Sequence, residues 1–539
     1  MKVLLLHPDR DFAPKPSLDD AIYKAMRSGN LYAIAHVYRN LERERKSAPP
    51  APPDGDADLT QDLELETLWR AMAGGDQFLY EMARRVTLSS LRDPEEIVYR
   101  QQVLADCLEH AEVVQELYEL AIEALGSERE AGSLWSGAMP DFILHRSVRL
   151  LNLYLGRLRR LREIADEHAG RFRSPGFTRF FARVREELAD DYLAAVERQL
   201  RDLELRRGVV QSAELGTGDK GRRYVFHRPP SEPTWKERLR PGRQPPSHTF
   251  ELHPRDEAGF RALKEIQARA INRVADAAGQ SADHVQSFFI MLRLELAFYL
   301  GCVNLRRWLD AKGEPACFPE PRDEAERALR ASDIYDVCLT LHLRDRVVGN
   351  DVTADQRSLV MITGANQGGK STLLRALGLA QLMMQSGMFV GARAYRASVC
   401  SGLFTHYKRE EDAAMEGGKL DEELGRMSAI ADRISPGGVL LCNESFASTN
   451  EREGSEIARQ VVRAMLDRGI RVLFVTHMYD LAHSLYAERS RDALFLRAER
   501  EPDGRRTFRL PEGEPLPTSH GEDSYRRVFG EGRAAAVGG

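Results

Sequence analysis

The stretch SLVMITGANQGGKSTLLRALG, residues 358 to 378, decides how the chain is read. Its first half is a short apolar run of buried-strand type. The run ends at Gly364, and four residues later come Gly369, Lys370 and Ser371, opening a helix-forming run. This is the GxxxxGK[ST] spacing of a phosphate-binding loop, in its required place between a strand and a helix. Each position has a physical reason. Gly364, Gly368 and Gly369 permit the tight turn. Backbone N–H groups of residues 366–371 wrap a phosphate at a helix N-terminus, where the dipole favours anions. Lys370 reaches the β- and γ-phosphates, and Ser371 offers a hydroxyl to Mg2+. The nucleotide-binding set expected from this stretch is Gly364, Ala365, Asn366, Gln367, Gly368, Gly369, Lys370, Ser371 and Thr372, with ATP and Mg2+ as cofactors.

Two further apolar runs, GGVLLCN (437–443) and IRVLFVT (470–476), alternate with helical patterns. From about Ile334 onward the chain therefore reads as α/β with a largely parallel sheet. The first of these runs ends in Asn443-Glu444. Glu444 is the expected general base that polarises an attacking water. The position before it ordinarily carries an acid that holds magnesium's water. Asn443 can still accept a hydrogen bond but brings no charge, so Mg2+ binding should weaken. Asn443 is either a tolerated substitute or the mark of a switch that binds ATP without hydrolysing it. The other strand delivers His477 to its end, where a side chain can sense the γ-phosphate.

Upstream, the pattern is helical from Leu59 to about Arg207, with Asp93 and Pro94 as N-cap and first helical residue of one helix. Long helices are expected over 142–167 and 177–206, and again from Glu257 to Ala311. The apolar stretch 288–305 carries Arg293 and Glu295, which favours a core helix over a membrane span. A short strand (Val3–Leu6) and helical periodicity from Asp19 to Arg45 suggest a small N-terminal cap over 1–47. The run APPAPPDGD (48–56) lies in a Pro-rich linker, 48–58. Residues 59–333 then form the helical domain, with a basic insertion at 208–254; 334–530 form the ATPase domain and 531–539 a tail. The net charge of −5 means that any nucleic-acid surface must be local. Cysteines 107, 302, 317, 338, 400 and 442 form no CxxC pair, which argues against a zinc site and for a reducing, cytoplasmic setting.

These residues resemble the MutS family of DNA mismatch repair ATPases. The resemblance is carried by 349–392, by GLFTHYKREEDAAMEGG (402–418), by GKLDEELGRMSAIADRI (418–434), by FVTHMYDL and by EGEPLPTSHGEDSYRRVFG (512–530). LTQDLELETLWRAM (59–72) and SLRDPEEIVYRQQVLADCLE (90–109) look like the start of the family's helical core and lever. The resemblance implies an all-α core/lever domain followed by a P-loop α/β ATPase domain, a homodimer, and nucleotide-driven opening and closing of a DNA clamp. It gives Glu444 the role of general base, His477 that of switch histidine, and matches Thr449 to the Thr of the loop that follows. Two departures bear on rate and on signalling between subunits. This chain reads NESFAST where the family reads Asp-Glu-Ile-Gly-Arg-Gly-Thr, and Gly418 stands where the family has Ser. No Phe-x-Glu wedge is found, so mismatch recognition is not expected.

The segment GDKGRRYVFHRPPSEPTWKERLRPGR (218–243) lies near where the family inserts its DNA clamp. It holds Lys220, Arg222, Arg223, Arg228, Lys236, Arg238, Arg240 and Arg243 against Asp219, Glu232 and Glu237. Such cation density suits sequence-independent phosphate contacts on duplex or branched DNA, and equally a solvated loop. The Arg-rich helix 146–162 reads more readily as ion-paired than as a DNA surface. The rival readings are an ATP-binding scaffold with little hydrolysis and an ATPase of the ABC/SMC type; the missing LSGG signature speaks against the latter. No membrane partner is expected.

Overall fold

The computed structural model describes residues 1–12, 55–130, 140–205, 210–217, 221–227, 253, 255–343, 345–409, 418–501 and 505–517. The helical expectation over 19–45 lies outside them. The helical part runs through α1 (Gly55–Asp62), α2 (Leu65–Ala73), α3 (Gln77–Leu88), α4 (Pro94–Glu109), α5 (Ala111–Glu130), α6 (Pro140–His168), α7 (Pro175–Glu187) and α8 (Asp190–Leu203). A two-stranded ribbon, β1 (Val210–Leu215) with β2 (Gly221–His227), follows, and then α9 (Glu257–Ala311). At 1.5 Å per residue α9 is about 80 Å long. Asp256 caps its first turn through Gly259 N–H, 2.8 Å away, as Asp93 caps α4 through Glu95 N–H with Pro94 in the first turn.

The stretch expected as one helix over 177–206 is two, α7 and α8, with Ala189 extended between them. The break is held by Arg162, whose Nη1 donates to the carbonyls of Arg185 (2.8 Å) and Leu188 (3.1 Å). The Arg-rich face of α6 is ion-paired: Arg157 meets Glu123, Arg159 meets Glu197 and Arg160 meets Glu116. One described stretch, Ile271–Ala311, is long and apolar enough to cross a membrane, but it is largely buried against α2, α3, α5 and α6. Within it Arg293 lies over the Phe78 ring at 3.8 Å.

Glu295, fully buried in α9, explains the N-terminus. Val3–Leu6 is not a strand. Leu4 has a left-handed backbone, and the hydrogen bonds of this segment go to side chains. Glu295 accepts the N–H groups of Leu5 (2.6 Å), Leu6 (3.1 Å) and Phe12 (3.0 Å). Tyr99 and Tyr299 hydroxyls donate to the carbonyls of Leu4 and Leu5, each at 2.6 Å. Burial pushes the Glu295 carboxyl up to about 7, against the pull of the three amides. An acid whose folded pKa lies above its unfolded value takes up a proton on folding, so its contribution to stability declines as pH rises toward 7. The urea stability of wild type relative to Glu295→Gln should therefore fall between pH 5 and pH 8. A pH-independent difference would mean that the amides keep the carboxylate ionised throughout.

The remaining elements are β3 (Glu320–Arg322), β4 (Leu329–Ile334), α10 (Val337–His342), β5 (Asn350–Thr353), β6 (Leu359–Gly364), α11 (Lys370–Gln385), β7 (Ala394–Ser398), β8 (Leu403–Tyr407), α12 (Lys419–Arg433), β9 (Val439–Asn443), α13 (Glu451–Asp467), β10 (Arg471–Val475), α14 (Tyr479–Ala487) and β11 (Ala493–Ala498). Five strands form a wholly parallel sheet in the order β11-β6-β10-β9-β8. A second sheet, β3-β7-β4-β5, was not anticipated and is mostly antiparallel. Two of its strands, β3 and β4, start before Ile334. The phosphate-loop helix α11 is buried nearly all round, because the sheet covers one side and the helical part the other. At Gly378 an added Cβ would meet Leu441 at 2.5 Å and Leu63 at 2.9 Å, so only glycine fits there. The six cysteines are free thiols, five of them buried.

Candidate nucleotide site

In open parallel sheets, ligands bind beyond the carboxyl ends of the strands. Three adjacent strands end together here: β6 leads into the phosphate loop, β9 into Asn443 and Glu444, and β10 toward His477. Asn366, Gln367, Gly368, Gly369, Lys370, Ser371, Thr372, Glu444 and His477 line one cavity of about 390 Å³. Gly364 and Gly369 have φ of 108° and 90°, a backbone that disfavours any side chain, and a Cβ on Gly364 would lie 2.8 Å from the Ala498 nitrogen. Ala365 is buried behind the loop. Gly369 is the N-cap of α11 and supplies no side-chain acceptor, so the first-turn N–H groups have no cap from it.

Lys370 is buried, and its Nζ donates to the carbonyls of Gly364 (2.9 Å) and Ala365 (3.1 Å). Burial lowers its pKa, while Glu444 pulls the other way. Ser371 Oγ donates to Asn443 Oδ1 at 2.8 Å, which brings the two expected Mg2+-side residues into contact. Glu444 Oε2 lies 3.7 Å from His477 Nδ1. That is a pairing distance rather than a hydrogen bond, and the histidine holds the carboxyl below the ordinary glutamate range despite burial. Gln367, Glu444 and Phe446 all have left-handed backbones. Strain of this kind in non-glycine residues concentrates at functional sites.

The loop after Glu444 is held by residues that the sequence did not single out. Ser445 Oγ donates to the His406 carbonyl at 2.7 Å and lies 2.7 Å from His406 Nδ1. His406 is fully buried, which pushes its pKa down to about 4. Thr449 is not part of the cavity: its hydroxyl donates to Glu453 at 2.5 Å, at the start of α13. Gly418 is the N-cap of α12.

A second cavity of about 280 Å³ adjoins the first and shares Gln367, Gly369 and Thr372 with it. Its far walls are mainly apolar: Tyr335, Leu339, Leu343, Val347, Val348 and Phe508. Asn350 fixes the Phe508 wall, donating to the Phe508 carbonyl at 3.0 Å and accepting Leu510 N–H at 2.8 Å. A flat apolar group attached to a phosphate would fit the pair of cavities.

Of the basic candidates, Arg222 and Arg223 lie on β2 with most of their surface in solvent, and both are within 3.6 Å of Glu214. Lys220, Arg228, Lys236, Arg238, Arg240 and Arg243 lie outside the described residues.

A family model described as MutS2 N-terminal domain matches residues 92–312, and one described as MutS domain V matches 360–509. The chain belongs to the MutS family. The domain V match contains the phosphate loop, Asn443, Glu444, His477 and Phe508, and the MutS2 match runs from α4 through the ribbon to the end of α9. The DNA mismatch repair protein MutS of Chloroflexus aurantiacus is 31% identical over 196 residues, covering 35% of this chain and 20% of that protein. Its counterpart in Myxococcus xanthus is 33% identical over 168 residues (30% and 19%). That of Thermotoga petrophila is 34% identical over 135 residues (25% and 17%). The chain thus spans about a fifth, or less, of the length of these curated MutS relatives.

Proposed function

We propose that this MutS-family chain binds ATP with Mg2+, hydrolyses it, and uses the nucleotide state to change its grip on DNA as a homodimer. The observation that carries the reading is the cavity in which phosphate loop, Glu444 and His477 converge at the ends of three neighbouring parallel strands. An ammonium has three donors. Lys370 spends two on loop carbonyls, which leaves one for a phosphate oxygen. The α11 N-terminus adds its uncapped N–H groups, and the adjoining apolar cavity takes the base.

The donor set fits a magnesium ion that keeps its waters and leans on substrate phosphates. Ser371 and Asn443 would hold it, and among the described residues no cluster of three or more His, Cys, Asp or Glu offers a protein-only site. Bound there, the ion would neutralise phosphate charge. Glu444, held ionised by His477, accepts a proton from water and orients it. The neutral Asn443 favours a second reading, in which ATP is bound and retained as a structural ligand.

The exposed arginines of the β1–β2 ribbon support a DNA-facing role for that end of the molecule. Their contacts would be to phosphates, so affinity should fall steeply with salt. Replacing Arg222 and Arg223 by Gln should reduce the slope of log K against log salt by about 2 and weaken binding evenly across sequences. Measuring duplex and branched DNA binding at graded salt, with and without ATP, tests the coupled function. No binding even at low salt removes the DNA role.

A further inference from the structure

The end of the long helix α9 is fastened to one wall of the apolar cavity beside the phosphate loop. The backbone of Glu314 belongs to the helix terminus, since its N–H donates to the Leu309 carbonyl at 3.1 Å. Its side chain is almost wholly buried and reaches Arg346 and Val347. Oε1 accepts Val347 N–H at 3.2 Å, and Oε2 accepts Arg346 Nε at 3.1 Å. Both residues line the cavity; Glu314 does not. Two residues earlier, the Lys312 ammonium donates to the Thr340 carbonyl and to the Leu343 carbonyl at 2.5 Å, capping the end of α10. A cation at free C-terminal carbonyls is favoured by the helix dipole. Lys312 thus holds Thr340 and Leu343, Glu314 holds Arg346 and Val347, and the opposite wall of the cavity is the phosphate loop itself.

A buried carboxylate in this position has a cost that packing alone does not require. An apolar residue would fill the volume, but it would not tie the Val347 amide and the Arg346 guanidinium to the last turn of α9. We propose that Lys312 and Glu314 are positioning residues that carry occupation of this cavity by the base of ATP to the long helix. The inference rests on the reading that the nucleotide binds here. When the base enters, the walls at Leu343 and at Arg346 and Val347 are drawn against it. The two side chains then shift or stiffen the last turns of α9, whose other end is joined to the ribbon side of the molecule.

The test is amide hydrogen exchange with and without ATP and Mg2+, on wild type, Glu314→Gln and Lys312→Met, with binding of a fluorescent ATP analogue measured in parallel. Glu314→Gln keeps the volume and an acceptor for Val347, and Lys312→Met cuts the other tie without touching Glu314. In wild type, ATP should slow exchange in 337–348 and in 305–314 together, by at least about fivefold, the low end of coupling between sites. In each variant the response of 337–348 should persist and that of 305–314 should shrink or vanish, with nucleotide affinity kept. An unchanged response of 305–314 in both variants overturns the proposal, as does a wild-type helix end that stays silent while 337–348 responds. If the analogue does not bind wild type and the phosphate loop shows no protection, the nucleotide reading itself has failed, and this inference falls with it.

Discussion

Lys370→Ala should abolish measurable ATP binding, weakening it by about 100- to 1,000-fold, while leaving the chain folded. The ammonium is the only cationic side chain among the residues lining the 390 Å³ cavity, the His477 ring apart. Its removal takes a charge-assisted hydrogen bond and a positive charge from the phosphates, together about 3–4 kcal/mol. The substitution also takes one donor from each of two loop carbonyls, of which Ala365 keeps the Gly368 N–H at 3.2 Å. The lost bonds are offset in part by removing a cation that burial disfavours. Fluorescent-nucleotide titration, with circular dichroism as the check on folding, measures both. A folded variant that retained wild-type affinity would exclude the loop as the phosphate site.

Arg100→Ala should be the most destabilising single change, at about 3–5 kcal/mol by urea unfolding. Arg100 sits in α4 with almost no surface in solvent. Its Nε donates to the Leu6 carbonyl at 3.1 Å and its Nη1 to the Ser386 carbonyl at 3.0 Å. Its stem lies against Gly387, where an added Cβ would be 2.6 Å away. One guanidinium therefore ties three pieces together: the N-terminal segment, the helical part and the end of the phosphate-loop helix. Truncation leaves two buried carbonyls without donors and a cavity the length of the side chain. Arg100→Lys should recover little, because an ammonium has no planar fork with which to reach both carbonyls. A loss below about 1 kcal/mol for Arg100→Ala would mean that the N-terminal segment is held by Glu295, Tyr99 and Tyr299 alone.

What the sequence made legible, and what it did not, follows from the range of the interactions. The phosphate loop is read within one local unit, and its strand and helix appear where the pattern placed them. The long helix is legible from Glu257 to Ala311, because helical periodicity is a local signal. Residues 3–6 misled because their apolar run looks like a strand. Their partners are Tyr99, Arg100, Glu295 and Tyr299, brought close only by the fold. The mostly antiparallel sheet was missed for a related reason: β3 and β4 lie on the far side of the phosphate loop from β7. The apolar cavity escaped because its walls come from 334–350, from 367–376 and from Phe508. At Asn443 the structure sharpens the question, since the neutral side chain is already bonded to Ser371.

The most direct test of the account is steady-state ATP turnover across a Mg2+ series for wild type, Glu444→Ala and Asn443→Asp. Wild type should turn over ATP, Glu444→Ala should lose at least about 100-fold while still binding nucleotide, and Asn443→Asp should reach its maximal rate at lower Mg2+. Wild type that binds ATP yet turns over no faster than Glu444→Ala would contradict the account and leave ATP as a structural ligand.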